Sequence, residues 1–528
     1  MVSRRRFLKT SLVSAVGLVS RVDGQISAQE RQRSKGKEVR MEELTINQLQ
    51  QKMSTGETTA VRLTGGYLAR IQTLDPLLKS VLVHNPDALK IAEARDTERE
   101  KGQIRGPLHG IPILIKGNID TGDRMETTAG SLAMVGHVAK QDSALVKQLR
   151  SAGAVILGKT NLSEWANFRS IRSSSGWSSQ GGQTHNPYVL DRNPCGSSSG
   201  SAVAVSANLA SVAVGTETDG SIVCPSHTNG IVGLKPTVGM VSQSGIIPIS
   251  HSQDTAGPMT RTVEETAILL SYLVRAGKGS KSAIDYTTCL KADGLKSKHI
   301  GIAREYFGFN GRVDGLMEEA IDLLSQNGAT IIDPIPLQSK QYSQAEFEVL
   351  LFEFKDGLNR YLSQVNQSHP IHSLQELIEF NNQHQQTVMP YFGQEILEMA
   401  QEKGGLDDRA YRAALTRCRR LSRQTGIDAI MTTHQLDAIF APTGVVAWTT
   451  DLLHGDPHLG GGSSSPAAVA GYPNITVPAG FVQGLPIGVS FFGQAYSEAK
   501  LIEIAYAFEQ ISNHRRPPRY METLPDDL

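Results

Sequence analysis

The sequence predicts an α/β protein, a β-sheet with helices packed on its faces, and two recurrences carry that prediction. Helical periodicity from Asp142 to Ala152 ends at Gly153 and gives way to the apolar run Ala154 to Leu157. The same order of helix, glycine and strand returns as Val313 to Asn327, Gly328 and Ala329 to Ile332. Composition agrees: of 528 residues 39% are hydrophobic, enough for a sizeable core. No internal repeat, coiled-coil heptad or membrane-length apolar run interrupts the pattern.

The first thirty residues read as an address. Ser3-Arg4-Arg5-Arg6-Phe7-Leu8-Lys9 is a twin-arginine pattern. The mild apolar run Thr10 to Ser20 is about half of the ~20 residues a membrane span needs, so it reads as a signal h-region. Ile26-Ser27-Ala28 offers small residues for cleavage. The chain is predicted to divide into a twin-arginine signal peptide (1–28), a disordered linker (29–40) and a folded body (41–520). That reading makes it a bacterial protein, periplasmic or secreted, whose partner in transit is the twin-arginine machinery. The route carries folded proteins, so the cysteines are expected to leave the cytosol as buried thiols.

Within the body, Ile46, Leu49 and Met53 fall at helical spacing. A second helical pattern, Thr59 to Leu74, carries Leu63, Tyr67, Leu68 and Ile71. A third opens at Asn85-Pro86, with Pro86 suited to a first turn, and carries Leu89, Ile91 and Ala92. Ile111 to Ile115 reads as a short buried strand. Asp142 is placed to cap its helix and Gly153 to terminate it. Ala202 to Ala207, rich in small residues, allows close helix packing, and Val212 to Gly215 reads as a strand. Gly460 to Ser465 is too short for a linker and reads as a loop.

Charge and cysteine content exclude several function classes. Lys+Arg 52 balance Asp+Glu 52, which removes the simplest reason to propose a nucleic-acid or anionic-membrane partner, and no stable membrane insertion is predicted. Cys195, Cys224, Cys289 and Cys418 are too few and too scattered for a disulfide scaffold. No CxxC pair offers a zinc site, so no metal is predicted.

Three motif matches fail on context. Gly153 to Thr160 satisfies GxxxxGK[ST], yet its intervening Ala-Val-Ile-Leu suits a buried strand, whereas a phosphate loop needs an open turn. Gly196-Ser197-Ser198-Ser199-Gly200 matches the GxSxG elbow, but Arg192-Asn193-Pro194-Cys195 is not the strand that should precede it. Ser497 and Lys500 form an SxxK pair that opens an amphipathic helix (Leu501, Ile502, Ile504, Ala505), with no SDN or KTG following.

The chemistry concentrates between Pro194 and Pro236. A Ser/Gly run is by itself a flexible loop, but these serines lie between apolar elements, where an unpaired hydroxyl is costly to bury. A serine nucleophile also needs a base. His185 and His227 are the nearest histidines, and neither has an obvious orienting carboxylate. Lys116, which ends Ile111-Pro112-Ile113-Leu114-Ile115, is the better candidate: burial penalises its charged form until the neutral amine can accept a proton. From this segment alone a strand-end lysine reaching solvent is an equal reading.

Gly196-Ser197-Ser198-Ser199-Gly200-Ser201-Ala202, Gly215-Thr216-Glu217-Thr218-Asp219-Gly220-Ser221-Ile222 and Gly233-Leu234-Lys235-Pro236-Thr237 resemble the amidase signature family. His109-Gly110-Ile111-Pro112 through Lys116, Gly158-Lys159-Thr160-Asn161, Asp254-Thr255-Ala256-Gly257-Pro258, Gly471-Tyr472-Pro473 and Leu485-Pro486-Ile487-Gly488 extend the match. The resemblance spans about Thr45 to Arg516. Ser163 to Arg169, Gly181 to Thr184 and Thr216 to Ser221 are most similar to bacterial peptide amidases, which remove the C-terminal amide of peptides and release ammonia.

The resemblance implies a single large domain with a mixed central sheet and helices on both faces. It implies a Ser–cis-Ser–Lys triad of Ser221 (nucleophile), Ser197 (relay, after a cis peptide bond) and Lys116 (base). Backbone N–H groups of Thr218, Asp219, Gly220 and Ser221 would form the oxyanion hole, the substrate would be a small-molecule or peptide amide, and no cofactor is required. Ser198, Trp165, Phe168 and Trp177 are candidate substrate contacts, with ordinary core packing the competing reading for the aromatics. Two residues depart from the family pattern. Asp219 stands where many members have glycine, and Val223 stands where many have arginine, which favours a neutral or blocked amide over a carboxylate-bearing substrate. Rival readings are the glutaminase-like component of a tRNA-dependent amidotransferase, a fatty-acid or aryl amide hydrolase, and a catalytically dead binding module.

Overall fold

The computed structural model describes residues 41–274, 284–337, 341–457 and 459–525. The twin-arginine segment, its cleavage site and the linker therefore lie outside the described residues. The strands are β1 (Val81–His84), β2 (Pro112–Lys116), β3 (Val155–Thr160), β4 (Trp177–Ser178), β5 (Gly182–Gln183), β6 (Val212–Glu217), β7 (Val232–Lys235), β8 (Thr255–Thr260), β9 (His299–Ile302), β10 (Thr330–Ile332), β11 (Ala438–Pro442), β12 (Asn474–Val482) and β13 (Leu485–Phe492). Eleven form one sheet in the order β1-β3-β2-β6-β8-β7-β12-β13-β11-β9-β10, and β4 pairs with β5 apart from it.

The sheet is mixed, as the family resemblance implies. β3, β2 and β6 run parallel at one end and β11, β9 and β10 at the other, with antiparallel pairs between them. Parallel strands need both faces covered. On β11, Ala438 and Phe440 enter one apolar cluster, with the helices Val263–Leu273, Gly311–Gln326 and Glu498–Ser512. Ile439 and Ala441 enter another, with Ile427, Ile430, Met431, Ala467 and Ala470. That period-two alternation makes the layers helix, sheet, helix.

Local rules account for most elements. The helix Ile46–Ser54 opens on a capping box, Thr45 with Gln48, and buries Ile46, Leu49 and Met53. The helix Ala144–Ser151 is capped by Ser143, one residue later than predicted. Asp142 instead accepts from Gly122 N and pairs with Arg150, because its carboxylate serves a neighbouring loop. Gly153 ends that turn at φ 83°, a conformation glycine adopts without strain. β3 runs on to Thr160, beyond the predicted Leu157, because Gly158 and Lys159 pair with β1. A Cβ on Gly158 would sit 2.2 Å from Val83 O, so the glycine of the phosphate-loop match serves strand packing. Ser497 and Lys500 likewise belong to a helix start, Lys500 pairing with Asp437.

Between β10 and β11, residues 343–433 are mostly helical, beginning with the long helix Ser343–Leu362. Leu351, Phe354 and Leu358 of that helix pack with Ile247, Ile249, Trp165 and Phe168 from the sheet side. Fully burying each such side chain contributes about 1.5–3 kcal/mol, which fastens the helical segment over the loops that follow β3 and β7. No helix of the described residues is long and apolar enough to cross a membrane.

Candidate active site

β2 and β6 are adjacent parallel strands, and the candidate site gathers at their C-terminal ends. β2 is buried throughout and ends on Lys116, itself 0% exposed. The Lys116 Nζ donates to Ser197 Oγ at 2.7 Å, to Thr216 Oγ1 at 2.9 Å and to Thr216 O at 3.1 Å. Burial lowers its pKa from 10.5 to about 7, against the opposing pull of Asp254 and Glu217. The amine is thus poised to exchange a proton with Ser197 near neutral pH.

Ser197 follows a cis Gly196–Ser197 peptide bond, as the family resemblance implies. Ser163 N donates to Ser197 O at 3.1 Å, and a Cβ on Gly196 would lie 2.2 Å from the Ser163 hydroxyl, which a hydrogen bond from Gly176 N holds in place. The second serine, Ser221, is 8% exposed and lies in the turn after β6. Ser198 N donates to Ser221 O at 3.2 Å, which fastens the two serine loops directly to each other. Glu217, the last residue of β6, accepts from the Ile222 and Val223 N–H groups at 2.7 and 3.0 Å and holds the turn from behind. Gly220 sits at φ 79°, where the turn requires glycine. Thr218 donates its hydroxyl to Asp254 at 2.6 Å, and Asp254 also accepts from Ile249 and Ser250 N–H groups.

The structure corrects the cysteine reading. Cys195 and Cys224 form a disulfide with Cα atoms 6.0 Å apart, and only Cys289 and Cys418 are free thiols. The pair lies 29 residues apart in sequence. It comes together because Cys195 precedes Ser197 by two residues and Cys224 follows Ser221 by three, so the bond bridges the same two loops as the Ser198–Ser221 contact. His227 is excluded as a base: its Nδ1 accepts from Gly488 N–H, its Nε2 meets Val445 O, and burial lowers its pKa to about 4. His185 is spent on Leu190 O.

The four candidate substrate contacts fall inside the protein. Ser198 is 0% exposed and its hydroxyl bridges Thr216 O and Thr216 N, so it positions strand β6. Trp165 and Phe168 belong to the apolar cluster under the helical segment. Trp177 meets Phe392 and Tyr391 edge-on, with Arg169 over its ring. A cavity of about 730 Å³ runs from Asn118, Thr216, Thr218 and Asp254 to Tyr361 and Arg360 of the long helix, and Ala166 is the residue of the Trp165–Phe168 segment that lines it. Sequence reasoning passes over Thr216, Glu217 and Asp254 as site residues, although all three stand inside the motifs that carry the resemblance.

The site thus sets a buried lysine beside two serine-bearing loops at one end of an α/β sheet, and comparison with known proteins gives its class. Residues 62–502 match the Amidase family. Peptide amidase from Stenotrophomonas maltophilia is 50% identical, with a TM-score of 0.85, covering 91% of this chain and 99% of that one. An amidase family protein from Bacillus anthracis is 35% identical, with a TM-score of 0.82, covering 94% and 96%. A protein of Arabidopsis thaliana called "Probable amidase At4g34880" is 40% identical over 91% of this chain and 92% of its own length. The chain belongs to the amidase signature family and is a hydrolase of amide C–N bonds.

Proposed function

We propose that the protein hydrolyses the C-terminal amide of peptides and releases ammonia, with Ser221 as nucleophile, Ser197 as proton relay and Lys116 as base. The Lys116 Nζ to Ser197 Oγ contact of 2.7 Å, made by an amine that titrates near neutrality, carries the mechanistic part of this reading. Ser221 attacks the amide carbon and passes its proton through Ser197 to neutral Lys116. The Thr218 to Ser221 N–H groups stabilise the oxyanion, each good donor worth about 3 kcal/mol in the transition state. The relay then protonates the leaving amine, and water hydrolyses the acyl-enzyme by the same steps in reverse.

Likeness to a solved peptide amidase at 50% identity supports the substrate. So does Val223, 1% exposed and apolar, where a cation would attract a carboxylate-bearing substrate. The test is ammonia release from a C-terminally amidated peptide, run beside its free acid, a fatty acyl amide, an anilide and glutamine, with Ser221→Ala in parallel. Release from the amidated peptide alone, lost in a folded Ser221→Ala, supports the proposal. Turnover of only the fatty amide, the anilide or glutamine overturns the substrate, and an active Ser221→Ala overturns the nucleophile. The twin-arginine reading adds export to a periplasmic or extracellular compartment, which suits a protein with an internal disulfide. Recovery of all the protein uncleaved from the cytosol refutes it.

A further inference from the structure

One buried acid near the site has no part in the mechanism above. Glu346 lies in the first turn of the long helix Ser343–Leu362, well outside the signature motifs, and is 8% exposed. Its Oε1 accepts from Gln253 Nε2 at 3.0 Å, and the same Nε2 reaches Thr218 O at 3.4 Å. Its carboxyl faces that of Asp219, within the turn that carries Ser221. Asp219 Oδ2 is satisfied by Ser465 Oγ at 2.6 Å, but Asp219 Oδ1 is buried and has no donor. A buried carboxylate oxygen without a donor is costly, and two facing carboxylates cannot both stay ionised cheaply. A proton on Glu346 removes both penalties, because the neutral acid donates to Asp219 Oδ1.

We infer that Glu346 is a positioning residue, kept as a neutral acid that donates a hydrogen bond to Asp219 and so holds the Thr218–Ser221 turn in its oxyanion-binding form. Burial and the neighbouring Asp219 push the Glu346 carboxyl well above the usual carboxylate range, in keeping with that state. The other titratable groups that face it are Tyr342, just ahead of its own helix, and Cys418 from the helix Arg409–Arg419. Burial raises both above their ordinary values, so both are neutral wherever the enzyme works. Glu346 therefore holds its proton to higher pH than an ordinary carboxyl does. With the proton gone, two like charges face each other behind the groups that must stabilise a third. The inference rests on the oxyanion role proposed for Thr218 to Ser221, and its test is arranged so that the two can fail separately.

The test compares wild type, Glu346→Gln and Glu346→Ala in kcat/KM against pH, on a C-terminally amidated peptide and an anilide. The glutamine amide can donate to Asp219 and cannot ionise. Expected are an alkaline limb in wild type, falling about tenfold per pH unit as one proton is lost, a Glu346→Gln profile that stays level across it, and a loss of at least tenfold in Glu346→Ala. An alkaline limb unchanged in Glu346→Gln overturns the inference, as does equal loss in both variants. Infrared difference spectra of wild type against Glu346→Gln at pH 7 give a readout independent of turnover. A buried protonated-carboxyl band present only in wild type supports the inference, and its absence overturns it even if the proposed substrate proves wrong. Should Glu346→Gln fail to fold, titration of that band in wild type decides: it must vanish with the same midpoint as kcat/KM.

Discussion

Acidification is the most informative perturbation of this site. Lys116 must be neutral to accept the relayed proton, and burial brings its pKa from 10.5 to about 7. That difference corresponds to about 5 kcal/mol disfavouring the ammonium in the folded protein, at about 1.36 kcal/mol per pH unit. Half of the enzyme therefore holds the free amine at pH 7, about one part in ten at pH 6 and about one in a hundred at pH 5. The measurement is kcat/KM for ammonia release from pH 4.5 to 8, which reports groups on the free enzyme. A rise of about tenfold per unit is expected, bending over near pH 7. Asp254, raised by burial to about 6, shapes the lower part. As it gains a proton it stops stabilising the Lys116 ammonium, so the slope flattens below pH 6. A midpoint near pH 4 would instead implicate a group such as His227, and a flat profile would remove Lys116 from the chemistry altogether. The same shift has a stability consequence of fixed sign. The unfolded chain binds a proton at Lys116 below about pH 10.5 and the folded chain only below about 7, so wild-type stability rises with pH across that window and is insensitive to this group below it. Lys116→Met removes the dependence. Its stability advantage over wild type is expected to grow as pH falls from 10 to 7, and an advantage independent of pH would contradict the assignment.

Two further perturbations test the frame around the site. The Cys195–Cys224 bond closes a loop of 29 residues, which the chain-entropy relation converts to about 3.6 kcal/mol of stability; the Cys195→Ala/Cys224→Ala double variant is expected to lose about that much and its Tm to fall, and an unchanged Tm with and without reductant would show that the bond adds nothing. Arg169 is 0% exposed and pairs with Glu164 at 2.8 Å while also donating to the carbonyls of Val388, Phe392 and Gly393. Glu164→Ala leaves that guanidinium buried without its counter-charge, which is expected to cost about 3–5 kcal/mol in urea unfolding. A cost below about 1 kcal/mol would mean that the carbonyls alone suffice.

The parts of this molecule that the sequence makes legible are those set by short-range rules. Helices announce themselves through 3.6-residue periodicity and Thr or Ser caps, and β2 and β3 through short apolar runs, so the α/β class and its layers follow from pattern. Lys116, Ser197 and Ser221 are legible for another reason: their motifs demand glycines at fixed offsets, and Gly196 and Gly220 are held by a close contact with the Ser163 hydroxyl and a positive φ respectively. What stays hidden depends on which distant segments meet. Nothing in the spacing of Cys195 and Cys224 says that the loops they flank lie side by side. Glu346 reads as one more acid on an amphipathic helix until Asp219 is seen to face it. Ser198, Trp165, Phe168 and Trp177 stand close to the site's motifs in sequence, which suggests pocket walls, but their side chains turn inward and leave Ala166 on the cavity surface. Asp142 misleads at smaller scale, since a cap one residue away is available in Ser143.

The helical segment 343–433 enters and leaves the sheet on either side of β9, from β10 to β11. It supplies Tyr361 and Arg360 to the cavity and Glu346 to the turn that carries Ser221, yet none of the triad. The lysine and both serines thus lie in one part of the gene, and one wall of the cavity lies in another. A library confined to those ninety or so codons, with Glu346 held fixed, therefore varies that wall while leaving Lys116, Ser197 and Ser221 untouched.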